Sequence, residues 1–235
     1  MRQIFVQTAN VSAFVNAMND IVAAPADADK MVLVTGSAGR GKTRTAIWYA
    51  ATSGAIYLRA KYYWRGNFRM VLREIIWECG QKPAYRTDLM AEQVIEALRA
   101  HGKPLLIDEA DYLDQGSIKT IRDIHDLSRV PVVFLGVSHI ARAVLQDQAV
   151  WRRFAHNIVF RDLTPDEVPA ILRQLCEVPL SDDAIDVISQ NCKMMADVIR
   201  YIHHAERAWR GRTAQMPGSV VKGFKPRVLQ GRGAA

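Results

Sequence analysis

Gly36-Ser37-Ala38-Gly39-Arg40-Gly41-Lys42-Thr43 satisfies G-x-x-x-x-G-K-[ST] at every fixed position. Before it runs Met31-Val32-Leu33-Val34-Thr35, apolar and rich in β-branched residues; after it, Thr43 to Ala51 contains neither Gly nor Pro. A strand is expected to feed the loop and a helix to leave it. In that context backbone N–H groups and the positive end of the helix converge on one anion. The whole octapeptide is therefore a candidate phosphate cradle for ATP. Lys42 is positioned for the β- and γ-phosphates, and the Thr43 hydroxyl for Mg²⁺.

About 65 residues further on comes Leu105-Leu106-Ile107-Asp108-Glu109-Ala110-Asp111, acids directly behind an apolar strand. Asp108 is the candidate second Mg²⁺ contact, and Glu109 the candidate base that polarises an attacking water.

Five apolar strands are predicted, within 31–35, 55–59, 104–108, 130–136 and 157–160, alternating with amphipathic helices. That alternation implies an α/β fold with a parallel sheet covered on both faces. The pattern changes after Leu163, where only helical signals recur, beginning with the N-cap run Thr164-Pro165-Asp166-Glu167. The expected organisation is a nucleotide-binding domain over 1–162, a small helical domain over 163–210 and a loose tail over 211–235.

Net charge is +7, and its location is informative. Arg207, Arg210, Arg212, Lys222, Lys225, Arg227 and Arg232 all follow the last acid; without these seven of the 31 Lys and Arg, the chain balances its 24 Asp and Glu. Such a tail suits polyanions; a solubilising role is the alternative. Cys79, Cys176 and Cys192 are far apart and read as buried apolar residues rather than a zinc or disulfide framework. With neither a signal-peptide pattern nor a membrane-length apolar run, a cytoplasmic location and no membrane partner are expected.

The phosphate loop, the separate Asp108-Glu109 strand end and the helical C-terminal segment together resemble an AAA+ ATPase. The resemblance implies a P-loop NTPase sheet with an intervening strand between the two nucleotide motifs, and a C-terminal all-α lid. Residues 130–137 fit that strand, with Ser138 as the sensor-1 position. It also implies that Arg153, in Trp151-Arg152-Arg153-Phe154, acts as an arginine finger on a neighbouring subunit. Thr8 and Asn10 take positions near the adenine. The expected Gly-x-x-Arg of the second sensor is absent; Lys193-Met194-Met195-Ala196-Asp197 stands there, with Arg200 one turn later.

Arg59-Ala60-Lys61-Tyr62-Tyr63-Trp64-Arg65-Gly66-Asn67-Phe68-Arg69 interleaves cations with aromatics. Cations meet phosphates while rings pack on sugars or bases, so the run suits nucleic acid. Equally, Tyr62, Tyr63 and Trp64 fit a core or subunit interface.

Residues 8–205 are similar to the AAA+ transposition regulators, the family of the phage Mu target-DNA activator MuB with its TniB, TnsC and IstB relatives. That resemblance implies a bacterial or bacteriophage mobile-element protein whose ATP-bound subunits form a helical filament on duplex DNA and activate a transposase. It places Lys61, Arg65 and Arg69 on the DNA backbone, joined by Lys119 and Arg122. The chain has no room for the Mu protein's N-terminal DNA-binding domain. A helicase loader or replication initiator, and a protein-directed signalling NTPase, are the alternatives.

Overall fold

A computed structural model describes residues 1–224. Two compact units emerge: Ala9–Arg161, and a second made of Met1–Thr8 with the chain from Asp162 onward.

The first unit runs α1 (Ala9–Ala23), β1 (Met31–Thr35), α2 (Lys42–Ser53), β2 (Ile56–Arg59), a 3-10 turn (Tyr62–Trp64), α3 (Phe68–Glu78), α4 (Thr87–His101) and β3 (Leu105–Asp108). A second 3-10 turn (Ala110–Tyr112) then leads to α5 (Gln115–Ser128), β4 (Val132–Leu135), α6 (Ser138–Leu145), α7 (Gln148–Trp151) and β5 (Phe154–Val159). The five strands form one sheet in the order β2-β3-β4-β1-β5, and every pairing is parallel. This is the parallel sheet covered on both faces that the alternation of strands and helices implied.

Strand periodicity explains the layering, because successive side chains leave opposite faces. Met31, Leu33, Leu105, Ile107, Val132 and Phe134 enter one core, which α3, α4 and α5 close with residues such as Leu72, Ile75, Val94, Leu98, Ile118 and Ile121. Val32, Val34, Leu106, Val133 and Leu135 enter the other, closed by Phe14, Met18 and Ile21 of α1, Ala46 of α2, and Phe160. Because β1, β3 and β4 are buried on both faces, they read as unbroken apolar runs.

Trp64 departs from the DNA-contact expectation. Only 1% exposed, it packs in the α3–α5 core. The turn over Tyr62–Trp64 is one 3-10 turn, which splays its three rings so that only the third faces inward.

In the second unit, α8 (Glu167–Leu175), α9 (Asp182–Asn191), α10 (Met195–Trp209) and α11 (Gly218–Lys222) surround a core that includes Ile171, Leu172, Ile188, Val198 and Ile202. Val6 belongs to this core, although it lies in the stretch assigned to the nucleotide-binding domain from sequence. The expected tail is also structured in part: Met216 is buried and bridges Leu180, and α11 packs on α9. The rest of that tail, with Lys225, Arg227 and Arg232, lies outside the described residues. Among the described residues, no helix is long and apolar enough to cross a membrane.

Candidate nucleotide site and the segment beside it

The phosphate loop joins the carboxyl end of β1 to α2. Gly36 has φ +147, and a Cβ there would lie 2.7 Å from the Phe160 carbonyl oxygen, so glycine is required. Arg40 draws the loop toward the same residue, donating from Nη1 to the Phe160 carbonyl at 2.9 Å. Lys42 Nζ folds back, donating to the carbonyls of Gly36 (2.6 Å) and Ser37 (3.1 Å). Burial lowers the Lys42 pKa, opposed by the negative charges of Asp108, Glu109 and Asp111. The acids of the second motif thus act on this ammonium through space. A buried cation held only by carbonyls suits an incoming polyphosphate, which supplies the charge it lacks. Ser37, Ala38 and Gly39 are exposed, leaving their backbone open to a ligand.

β4 lies between β1 and β3, so the loop and Asp108 face each other across one strand. Asp108 is buried; its Oδ2 accepts from the Tyr57 hydroxyl at 3.0 Å and its Oδ1 from the Glu109 N–H at 2.9 Å. Burial and then the Asp108 charge hold the Tyr57 hydroxyl protonated far above its usual range. Each Asp108 oxygen has one lone pair left, and with the half-exposed Thr43 hydroxyl these are oxygen donors of the kind Mg²⁺ prefers.

Glu109 adopts the left-handed conformation (φ 54), which is rare outside glycine and concentrates at functional sites. Its Oε1 lies 3.3 Å from Arg59 Nη2, and Arg59 pairs in register with Asp108 on the neighbouring strand. Asp111 accepts from the N–H groups of Val137 (2.6 Å) and Ile140 (2.8 Å), fixing the turn from β4 into α6. A Cβ at Gly136 would lie 2.2 Å from its Oδ2. Ser138, the first residue of α6, is exposed at this turn.

The family described as AAA domain matches residues 26–144. The chain belongs to this AAA family. Membership implies nucleotide hydrolysis, typically with Mg²⁺. Among curated proteins, none matches the sequence. Solved structures share the fold at low identity. The Aeropyrum pernix ORC2 protein in its ADP form is 15% identical over 94% of this chain and 68% of that one, with a TM-score of 0.64. The Aeropyrum pernix ORC1 protein in complex with DNA is 15% identical over 91% and 64%, with a TM-score of 0.58. The Thermotoga maritima RuvB Holliday junction branch migration motor is 17% identical over 93% and 68%, with a TM-score of 0.60. The AAA chain therefore spans about two thirds of the length of these proteins.

The remaining predicted residues of the AAA chain divide by what they touch. Asn10 is engaged on the backbone: its side chain donates to the Arg161 carbonyl and accepts from the Arg161 N–H, both at 2.9 Å. Thr8 is buried. Arg153 precedes β5 at the amino edge of the sheet, where it grips Asp126 through Nε (2.6 Å) and Nη2 (3.0 Å). The register Met31↔Phe154 puts it beside the start of β1. The length of β1, roughly 13 Å at ~3.3 Å per residue, thus separates it from its own phosphate loop.

Among the expected DNA contacts, Tyr62 and Tyr63 are exposed at 72% and 63%. Lys61 pairs with Glu74 at 3.2 Å, Lys119 with Asp147 at 3.1 Å, and Arg122 with Asp123 at 2.7 Å. Arg69 donates to Thr87 Oγ1 and the Tyr85 carbonyl, tying α3 to the start of α4. Arg65 is exposed and has no carboxylate partner among the described residues. Sequence reasoning assigns Tyr57 no site role, reads Arg59 only as the first cation of the cation–aromatic run, and quotes Asp111 only as one of the acids behind β3. The roles of Tyr57 and Arg59 follow only from the pairing of β2 with β3.

Proposed function

We propose that this AAA protein is a Mg²⁺-dependent ATPase that assembles on duplex DNA with little sequence preference, as a helical filament or ring, and serves DNA transposition by marking target DNA for a transposase. The observation that carries the DNA part is the segment after β2. It presents two exposed tyrosines and an uncommitted arginine at the carboxyl edge of the sheet, next to the strand end bearing Asp108 and Glu109. The transposition role rests on the sequence resemblance.

In this reading Lys42 and the loop N–H groups of residues 36–43 hold the phosphates, while Thr43 and Asp108 hold Mg²⁺. When bound, Mg²⁺ would neutralise charge on the phosphate oxygens. Glu109 orients the attacking water and accepts its proton, and the Arg59 contact keeps that carboxylate aside until assembly releases it. Arg153 cannot reach its own loop, so as a finger it completes the site of a neighbouring subunit, which makes assembly depend on the γ-phosphate. Ser138, the exposed hydroxyl at the start of α6, takes the sensor-1 role that the resemblance gives it.

Co-sedimentation with duplex DNA, followed by electron microscopy, tests the reading with ATP, ADP and no nucleotide at two salt concentrations. Salt-sensitive, ATP-dependent assemblies on any duplex are expected; absence of DNA binding in every state overturns it. A second reading, a replication-initiator or helicase-loader ATPase, is favoured by the fold shared with the ORC1 protein in complex with DNA. Preference for single strands over duplex would select it.

A further inference from the structure

Arg65, Asp114, Gln115, His139, Arg142 and Gln146 line a cleft of about 530 Å³. Its walls come from three segments: the one after β2, the one between β3 and α5, and α6 after β4. Those three strands are neighbours in the sheet, so the cleft opens at their carboxyl ends, where α/β sheets take their ligands.

The charge balance inside it is lopsided. Neither the Arg65 nor the Arg142 guanidinium has a carboxylate partner among the described residues, and both are exposed, as is His139. The one acid, Asp114, is already spent as the cap of α5. It accepts from the Ser117 N–H at 2.8 Å and from the Gly66 N–H. Gln115 Nε2 donates to the Ala143 carbonyl at 2.8 Å and to Gln146 Oε1 at 3.2 Å, bracing α5 against α6 and fixing the width of the cleft. Elsewhere on this unit, Lys61, Lys119 and Arg122 are held by acids. Two unpaired guanidiniums facing one rigid cleft match the fork geometry of a phosphate.

At the mouth, aromatic rings define the rest of the ligand. Tyr62 packs edge to face on Tyr112 at 6.1 Å, and both rings are exposed; the first precedes Arg65, and the second adjoins Leu113 of the cleft wall. Flat apolar surface beside an anion site matches nucleic acid, whose sugars and bases alternate with phosphates.

We infer that this cleft is a phosphodiester socket for the DNA backbone, with Arg142 and His139 of α6 joining Arg65. The inference rests on the DNA-binding reading above and adds contacts that the segment after β2 does not contain.

The test measures binding of a fluorescein-labelled random duplex to the full chain by anisotropy, with a non-hydrolysable ATP analogue, across a salt series. Arg142→Gln is expected to weaken binding about tenfold and to flatten the log affinity against log salt slope by about 0.9, the signature of one lost phosphate contact. Arg142→Lys, which keeps the charge, is expected to recover most of the slope. DNA-free ATP hydrolysis stays at the wild-type rate in both, showing that the fold is intact. If wild type binds duplex and Arg142→Gln matches it in affinity and slope, the socket is overturned while the DNA reading stands. If wild type binds no duplex with any nucleotide, both fall together.

Discussion

Two segments leave the carboxyl edge of the same sheet, with β3 and β4 between their strands, and have settled their polar groups in opposite ways. In residues 36–43, after β1, Lys42 is folded onto the carbonyls of Gly36 and Ser37, Arg40 onto Phe160, and Gly36 is pressed against the neighbouring backbone. In residues 61–67, after β2, only Trp64 turns inward, while Tyr62, Tyr63 and Arg65 stand in solvent. The first segment is shaped before its ligand arrives, which suits a ligand of fixed chemistry. The second presents side chains that adapt, which suits a ligand read by backbone and ring contact alone.

Removing the preorganised cation gives the largest expected effect. Lys42→Ala is expected to lower ATP hydrolysis by about 10²-fold or more, comparable to loss of one preorganised charge-stabilising group. Glu109→Gln is expected to retain ATP binding, hydrolyse slowly and leave assembled complexes that persist. A turnover assay with electron microscopy checks both, and normal turnover in Glu109→Gln would remove it from the role of base.

The same comparison predicts a split within three consecutive residues. Trp64→Ala should cost about 3–5 kcal/mol of stability, as large aromatic deletions in cores do. Tyr62→Ala and Tyr63→Ala should stay within about 0.5 kcal/mol of wild type, as surface changes do, while weakening duplex binding. Denaturant melts beside anisotropy measure both quantities. Equal destabilisation by all three would erase the contrast between the inward ring and the outward pair.

Tyr57 offers a finer probe of the preshaped side. Its folded pKa lies above the ordinary 10.0, so between that value and the folded one the unfolded chain gives up a proton that the fold retains. Stability from this group is therefore full below pH 10 and declines as pH rises past it. Tyr57→Phe should flatten that alkaline decline in thermal melts and slow hydrolysis severalfold at neutral pH, by loosening Asp108.

A small effect, on stability alone, is expected at the amino edge. Burial pushes the Asp126 carboxyl up, but the hydrogen bonds and charge of Arg153 outweigh it and hold the carboxyl below the usual 3.8. The stabilisation is present above that pH and lost as acid takes the group through its folded pKa. Asp126→Asn should cost about 1 kcal/mol or less and remove that acid-side dependence, measured by melts from pH 6 to 2.

How much of this could be seen in the sequence follows from how local each cause is. The phosphate loop and the three strands buried on both faces are local: one fixed spacing, and apolar runs that tolerate no other place. The bounds of α6 and α7 are not legible, because eight and four residues give too few turns for periodicity to show. Trp64 was undecidable, since its direction depends on the 3-10 turn and not on its neighbours' composition. Arg59 and Tyr57 depend on strand order, which brings residues 59 and 108 side by side across about fifty positions of chain. Which cations remain uncommitted is likewise a tertiary fact. Lys61 and Arg65 look alike in the sequence, yet Glu74 holds only the first.

The contact between Asp111 and Gly136 carries a consequence for descent. A carboxylate lies where any side chain at position 136 would have to stand. Neither residue can change alone: a larger residue at 136 evicts the acid, and losing the acid leaves the N–H groups of Val137 and Ile140 without their acceptor. In any lineage of this chain the two positions should vary as a pair. That correlated signature marks the turn from β4 into α6 more tightly than either residue's identity does.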